Sequence, residues 1–143
     1  MTEVRHRANY CYFKEISTRW MDNDIYGHVN NVTYYSYFDT VANSYLIERG
    51  GLDIQNSTSV GYVVASNCDY HAPIAFPQKV TAAFRVNKLG NKSVEYGLAI
   101  FNDQQKEACA TGSFTHVFVD RASGKSIEIP EKIRQALELA SIT

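Results

Sequence analysis

The chain has 143 residues, enough for one domain that buries roughly two thirds of its unfolded surface without disulfides or metals. Its formal charge of −1 removes any general attraction to nucleic acid or anionic membranes, so an anionic ligand must be held by local Lys and Arg. The three cysteines, Cys11, Cys68 and Cys109, are odd in number and lack CxxC spacing, so a reduced, cytoplasmic protein is expected. "MTEVRHRANY" has no apolar core and no 18-residue apolar run follows, so neither signal peptide nor membrane span is expected. Ten Tyr and seven Phe suit β structure and broad half-buried surfaces.

In chain order, "CYFKEISTRW" alternates Tyr12, Ile16 and Trp20 against Lys14 and Thr18, which predicts a first strand. "NVTYYSYFDTVANSYLIERGG" places Val32, Tyr35, Phe38, Val41, Ala42, Tyr45 and Leu46 at helical spacing. Asn30 or Asn31 can cap that helix and Gly50-Gly51 can end it. Period two returns in "VGYVVASNCDYHAP", "KVTAAFRVNKL", "SVEYGLAIF" and "ACATGSFTHVFV", with turns at Gly90-Asn91, Asn102 to Gln105 and "DRASGKS". "PEKIRQALELA" predicts a short helix with Pro130 at its first position and Ile133, Ala136, Leu137 and Ala140 on one face.

The order strand, long helix, four strands, short helix reads as an α+β domain spanning residues 1–143. One antiparallel sheet of about five strands and one central apolar helix must bury each other. Open sheet edges then call for a second subunit.

Between the first strand and the long helix lies "RWMDNDIYGHVNN". A helix start offers free backbone N–H groups and a partial positive charge. A carboxylate on the preceding loop adds a nucleophile or general base, and acyl transfer needs both parts. Asp24 and the amides near Asn31 can supply them. Asp22, Asp24, Gly27, Asn30 and Asn31 are equally ordinary turn and cap residues, and spacing alone does not choose between the readings.

The run D-x-D-x-x-G-H-V-N-N followed by an aromatic helix, in "RWMDNDIYGHVNNVTYYSYFD", resembles the signature of the 4-hydroxybenzoyl-CoA thioesterase family, acyl-CoA thioesterases of hotdog fold. "YVVASNCDYHAPIAFPQKV" and "VNKLGNKSVEYGLAIF" resemble the rest of that domain. The resemblance implies a hotdog fold, Asp24 as catalytic carboxylate, Asp22 as a less essential acid, and a carbonyl-polarising amide near Asn31. Some branches carry a His side chain where this chain has Asn31. His28 is then a further candidate participant, or a hydrogen-bonded residue that holds the loop.

Thioester hydrolysis in a groove between subunits follows, with an acyl-CoA substrate, a homodimer or homotetramer, and no cofactor, metal, nucleic acid or membrane partner. Lys88, Lys92 and Ser93 are the candidate phosphate handles, with Arg85 or Arg121 as alternatives. Gly27, Tyr26 and Tyr35, together with Tyr34 and Tyr70, are candidates for the substrate walls. Tyr-rich walls suit short or aryl acyl groups. An acyl-carrier-protein thioesterase and a non-catalytic acyl-CoA-binding module are the competing functions. His71, beside Tyr70 and Pro73, reads as structural. No metal spacing, P-loop, nucleophile elbow or dinucleotide fingerprint is present.

Overall fold

A computed structural model describes residues 5–103 and 105–141. Gln104, in the expected turn between Asn102 and Gln105, lies outside the described residues, as do the outermost residues of the expected 1–143 domain. Five strands form one sheet: β1 (Tyr12–Ser17), β2 (Ser59–Tyr70), β3 (Lys79–Leu89), β4 (Ser93–Asn102) and β5 (Ala110–Asp120). Their order is β1-β3-β4-β5-β2 and every pairing is antiparallel. The long helix α1 (Asn31–Glu48) follows β1, and the short α2 (Glu131–Leu139) ends the chain. This is the antiparallel sheet and long helix that the alternation and the helical run predict, and the hotdog fold that the resemblance implies.

The sheet is two-faced because its strands alternate. Val80, Ala82, Phe84 and Val86 of β3, Val94, Tyr96, Leu98 and Ile100 of β4, and Ala110, Phe114 and Phe118 of β5 join α1 in the main core. Tyr45 of α1 lies against Phe84 with ring centroids 4.5 Å apart, and Phe38 meets Phe114 edge-on at 5.7 Å. Each such fully buried large side chain contributes about 1.5–3 kcal/mol of transfer free energy. Gly112 makes the approach possible, because a Cβ there would lie 2.8 Å from Phe38 Cε2 and 2.2 Å from the Asn67 carbonyl oxygen.

Three local readings are corrected. The buried stripe of α1 is Tyr34, Tyr37, Phe38, Val41, Ala42, Tyr45 and Leu46. Val32 is exposed and Tyr35 half-buried, so the first turn faces the sheet with its later tyrosines, whose hydroxyls reach polar partners at the core edge. Trp20 is 76% exposed, because β1 stops at Ser17 and the chain enters a 3₁₀ turn over Trp20–Asp22. Pro130 stands one place before α2 as its cap residue. The helix end is as expected: Gly51 adopts φ +71°, and Leu52 N–H returns to the Leu46 carbonyl at 3.0 Å. Among the described residues no helix is long and apolar enough to cross a membrane.

Candidate active site

The polar stretch folds as an anchored hairpin. Its base is Asp22, whose side chain is 1% exposed. One carboxylate oxygen accepts from the Arg19 backbone N–H at 2.9 Å and the Tyr37 hydroxyl at 2.7 Å; the other accepts from the Arg19 guanidinium at 2.9 and 3.1 Å. Burial works against ionisation, but the Tyr37 and Arg19 hydrogen bonds outweigh it and hold the Asp22 carboxyl below its usual range. Asn30 N–H donates to the Asp22 carbonyl at 2.8 Å, which closes the loop at its base. Asn23 Oδ1 accepts from Phe76 N–H at 3.1 Å, and Val29 N–H reaches the Ile74 carbonyl at 2.7 Å.

Asp24 sits where the hairpin turns. Its Oδ1 accepts from Tyr26 N–H at 2.9 Å, its carbonyl from Gly27 N–H at 3.0 Å, and its own N–H donates to the His28 carbonyl at 2.9 Å. Gly27 takes φ +85°, which the turn requires. These bonds leave Asp24 Oδ2 without a partner among the described residues. The carboxylate borders a recess of about 350 Å³ shared with Trp20, Asn23, Ile25 and Gly27.

The helix start is half satisfied. Asn30 is the cap: its Oδ1 accepts from Val32 N–H at 2.9 Å, and its carbonyl accepts from Thr33 N–H at 2.9 Å. Asn31 N–H has no partner among the described residues, and it lies at the positive end of α1. Asn31 lines a second recess of about 330 Å³ with His28, Val29, Tyr34, Tyr70, His71, Ala72 and Pro73. Tyr34 and Tyr70 form its aromatic wall, with centroids 5.1 Å apart, and the Tyr70 hydroxyl donates to the Asn31 carbonyl at 3.1 Å. Burial pushes the Tyr34 phenol up to about 12. Among the described residues no group of three or more His, Cys, Asp or Glu side chains is placed to hold a metal.

The fold therefore brings Asp24, Gly27, His28 and Asn31 onto one loop, with Asp24 and Gly27 on one recess and His28 and Asn31 on the other. Tyr26 is exposed at the hairpin tip. Tyr35 lies parallel to Phe114 at 6.0 Å and lines neither recess. Lys88, Lys92 and Ser93 sit at the opposite end of β3 from the loop, which meets the sheet near Gln78, about 30 Å away by strand rise. One chain does not bring these handles to its own Asp24. His71, assigned a structural part from the sequence, lies on the same recess as Asn31. No spacing signal links it to the motif; the turn after β2, where His71 and Ala72 N–H both donate to the Cys109 carbonyl, carries it there.

Comparison with known proteins agrees with this fold. The PA5185 protein of Pseudomonas aeruginosa strain PAO1 has a crystal structure similar to this one at TM-score 0.93, with 58% identity and coverage of 96% of each chain. Long-chain acyl-CoA thioesterase FadM of Escherichia coli (strain K12) is 22% identical over 125 residues, 87% of this chain and 95% of FadM. A DHNA-CoA thioesterase from Staphylococcus aureus shares the fold at TM-score 0.80 and 22% identity, over 89% of this chain and 88% of that one. The thioesterase-like superfamily matches over residues 18–137, from the Asp22–Asn31 loop into α2. The chain belongs to that thioesterase-like superfamily.

Proposed function

We propose that the protein is an acyl-CoA thioesterase that hydrolyses short-chain or aryl thioesters to carboxylate and free CoA. The observation that carries this reading is the unpartnered Asn31 N–H at the start of α1, on the loop that also presents the free Oδ2 of Asp24. The thioester carbonyl accepts from Asn31 N–H, where one oxyanion donor contributes about 3 kcal/mol to the transition state. Asp24 attacks the carbonyl carbon or activates a water. The membership in a thioesterase superfamily and the acyl-CoA substrate in FadM's name support the substrate class. FadM is named for long chains; the Tyr34–Tyr70 wall and the likeness of the loop to 4-hydroxybenzoyl-CoA thioesterases favour smaller acyl groups here.

A homodimer completes the site. β2 is an edge strand with Tyr62, Val63 and Val64 exposed, so its free backbone groups can take a second copy's edge. In such an assembly Lys88, Lys92 and Ser93 serve a neighbouring subunit's CoA rather than their own.

The test is thiol release from a panel of aliphatic and aryl acyl-CoAs, with acyl-carrier-protein thioesters alongside. Turnover of short or aryl acyl-CoAs is expected. Turnover of carrier-protein thioesters alone, or acyl-CoA binding without release, would move the chain to one of the two competing functions.

A further inference from the structure

Asp24 acting as a nucleophile leaves one step without a base. When its Oδ2 bonds to the thioester carbon, the C–S bond breaks, the CoA thiolate leaves with the electron pair and takes a proton from solvent. The acyl group is then joined to Asp24 as a mixed anhydride. That carboxylate can no longer accept a proton, so the water that cleaves the anhydride needs a different base.

Two imidazoles, those of His28 and His71, line the recess that Asn31 also lines. The His28 ring has no hydrogen-bond partner among the described residues, so nothing orients it. His71 is fixed at both ends. Its backbone N–H donates to the Cys109 carbonyl at 2.8 Å, and its Nε2 lies 2.9 Å from Thr111 Oγ1 on β5. Thr111 is itself buried, so the hydroxyl is a firm support. Nδ1 is left without a partner among the described residues. Desolvation, then the Arg5 cation, lower the affinity of the ring for a proton, with Asp69 and Glu107 partly offsetting them. A ring so placed is neutral at pH 7 and has a lone pair to offer.

We propose that His71 is the base of the second half-reaction and that Thr111 is its positioning residue; this rests on the thioesterase reading above. Nδ1 takes a proton from a water as the water oxygen bonds to the acyl carbon. The bond between that carbon and the Asp24 oxygen breaks, and the carboxylate leaves with the pair. The imidazolium then releases its proton to solvent, which balances the proton taken by the thiolate.

The experiment is rapid-quench thiol release with the best substrate of the panel, with mass spectrometry of the quenched protein. Wild type is expected to release thiol linearly without accumulating an adduct. His71→Gln is expected to show a burst of about one thiol per site, a steady rate lower by about 10²-fold, and an acyl mass on the peptide that contains Asp24. Thr111→Val should show the same pattern in weaker form. In His71→Ala, added imidazole should restore the steady rate. His71→Gln at the wild-type rate, or slowed without burst or adduct, overturns the assignment while the thioesterase reading stands. No release by wild type from any panel member removes both.

Discussion

Tyr37 donates its hydroxyl to the same Asp22 oxygen that accepts the Arg19 backbone N–H, at 2.7 and 2.9 Å. This contact ties the second turn of α1 to the base of the hairpin that carries Asp24. Asp22 is thereby a structural carboxylate, fully occupied by partners, while Asp24 two residues on keeps one oxygen free. Tyr37→Phe removes one hydrogen bond to a charged group and is expected to cost about 1.5–3 kcal/mol. Urea unfolding of the two proteins measures it; an unchanged midpoint would mean that Arg19 alone holds the loop.

Helix capping gives a second expectation. Asn30→Ala removes the acceptor for Val32 N–H and should cost about 1 kcal/mol. Thermal melting at fixed pH reads this directly, and a loss within error would show that the Asn30 carbonyl, not its side chain, holds the first turn.

Acid sensitivity follows from His116. It is 2% exposed, and its Nδ1 lies 3.1 Å from the Tyr96 hydroxyl. Burial lowers its pKa from 6.5 to about 4. The unfolded chain gains a proton below 6.5 and the folded protein only near 4, so stability is complete above 6.5 and falls as pH drops between the two. The loss at pH 5 is about 2 kcal/mol. Asp22, with its carboxyl held low, adds a further loss below the ordinary aspartate value of about 3.9. Denaturant midpoints at pH 7.5 and 5 should show the drop in wild type and a much flatter response in His116→Gln. Equal slopes would place the titration elsewhere.

Gly112→Ala tests the close approach of helix and sheet. The added methyl meets the Asn67 carbonyl and the Phe38 ring, and the backbone of a paired strand has little room to yield. A loss of about 3 kcal/mol or more is expected. A melting temperature near wild type would mean that β2 and β5 can separate without harm.

Much of this architecture was legible in the chain itself. Alternation located β3, β4 and β5 because each sends one apolar row into the core under α1, although Ala83, Ala99 and Phe101 are buried on the other face as well, and the Gly90-Asn91 turn marks the hairpin between two of them. The phase of α1 was not legible in its first turns. Val32 and Tyr35 keep helical spacing as well as Tyr34 and Tyr37 do, and only the partners Asp22 and Tyr70 decide between them. The loop motif was legible as chemistry, since carboxylate, glycine and cap residues cluster just before a helix. What each residue does there required tertiary contacts: Asp22 is consumed by Arg19 and Tyr37, Asn30 by the cap. His71 and the distant Lys88 hairpin depend on strand order, which no local pattern encodes.

In the proposed reaction Asn31 N–H, a backbone group, polarises the substrate carbonyl. Proline is tolerated at the first position of a helix, where φ suits it and no intrahelical bond is lost, and Asn30 already has the extended conformation that proline demands of its predecessor. Asn31→Pro therefore deletes the donor and leaves the helix, whereas Asn31→Ala keeps the donor and deletes the side chain. The measurement is kcat for both variants on the best acyl-CoA of the panel, beside their melting temperatures. A fall of about 10²–10³-fold in kcat is expected for Asn31→Pro, with a change of only a few-fold for Asn31→Ala and similar stability in both. A folded Asn31→Pro protein that turns over at the wild-type rate would contradict it.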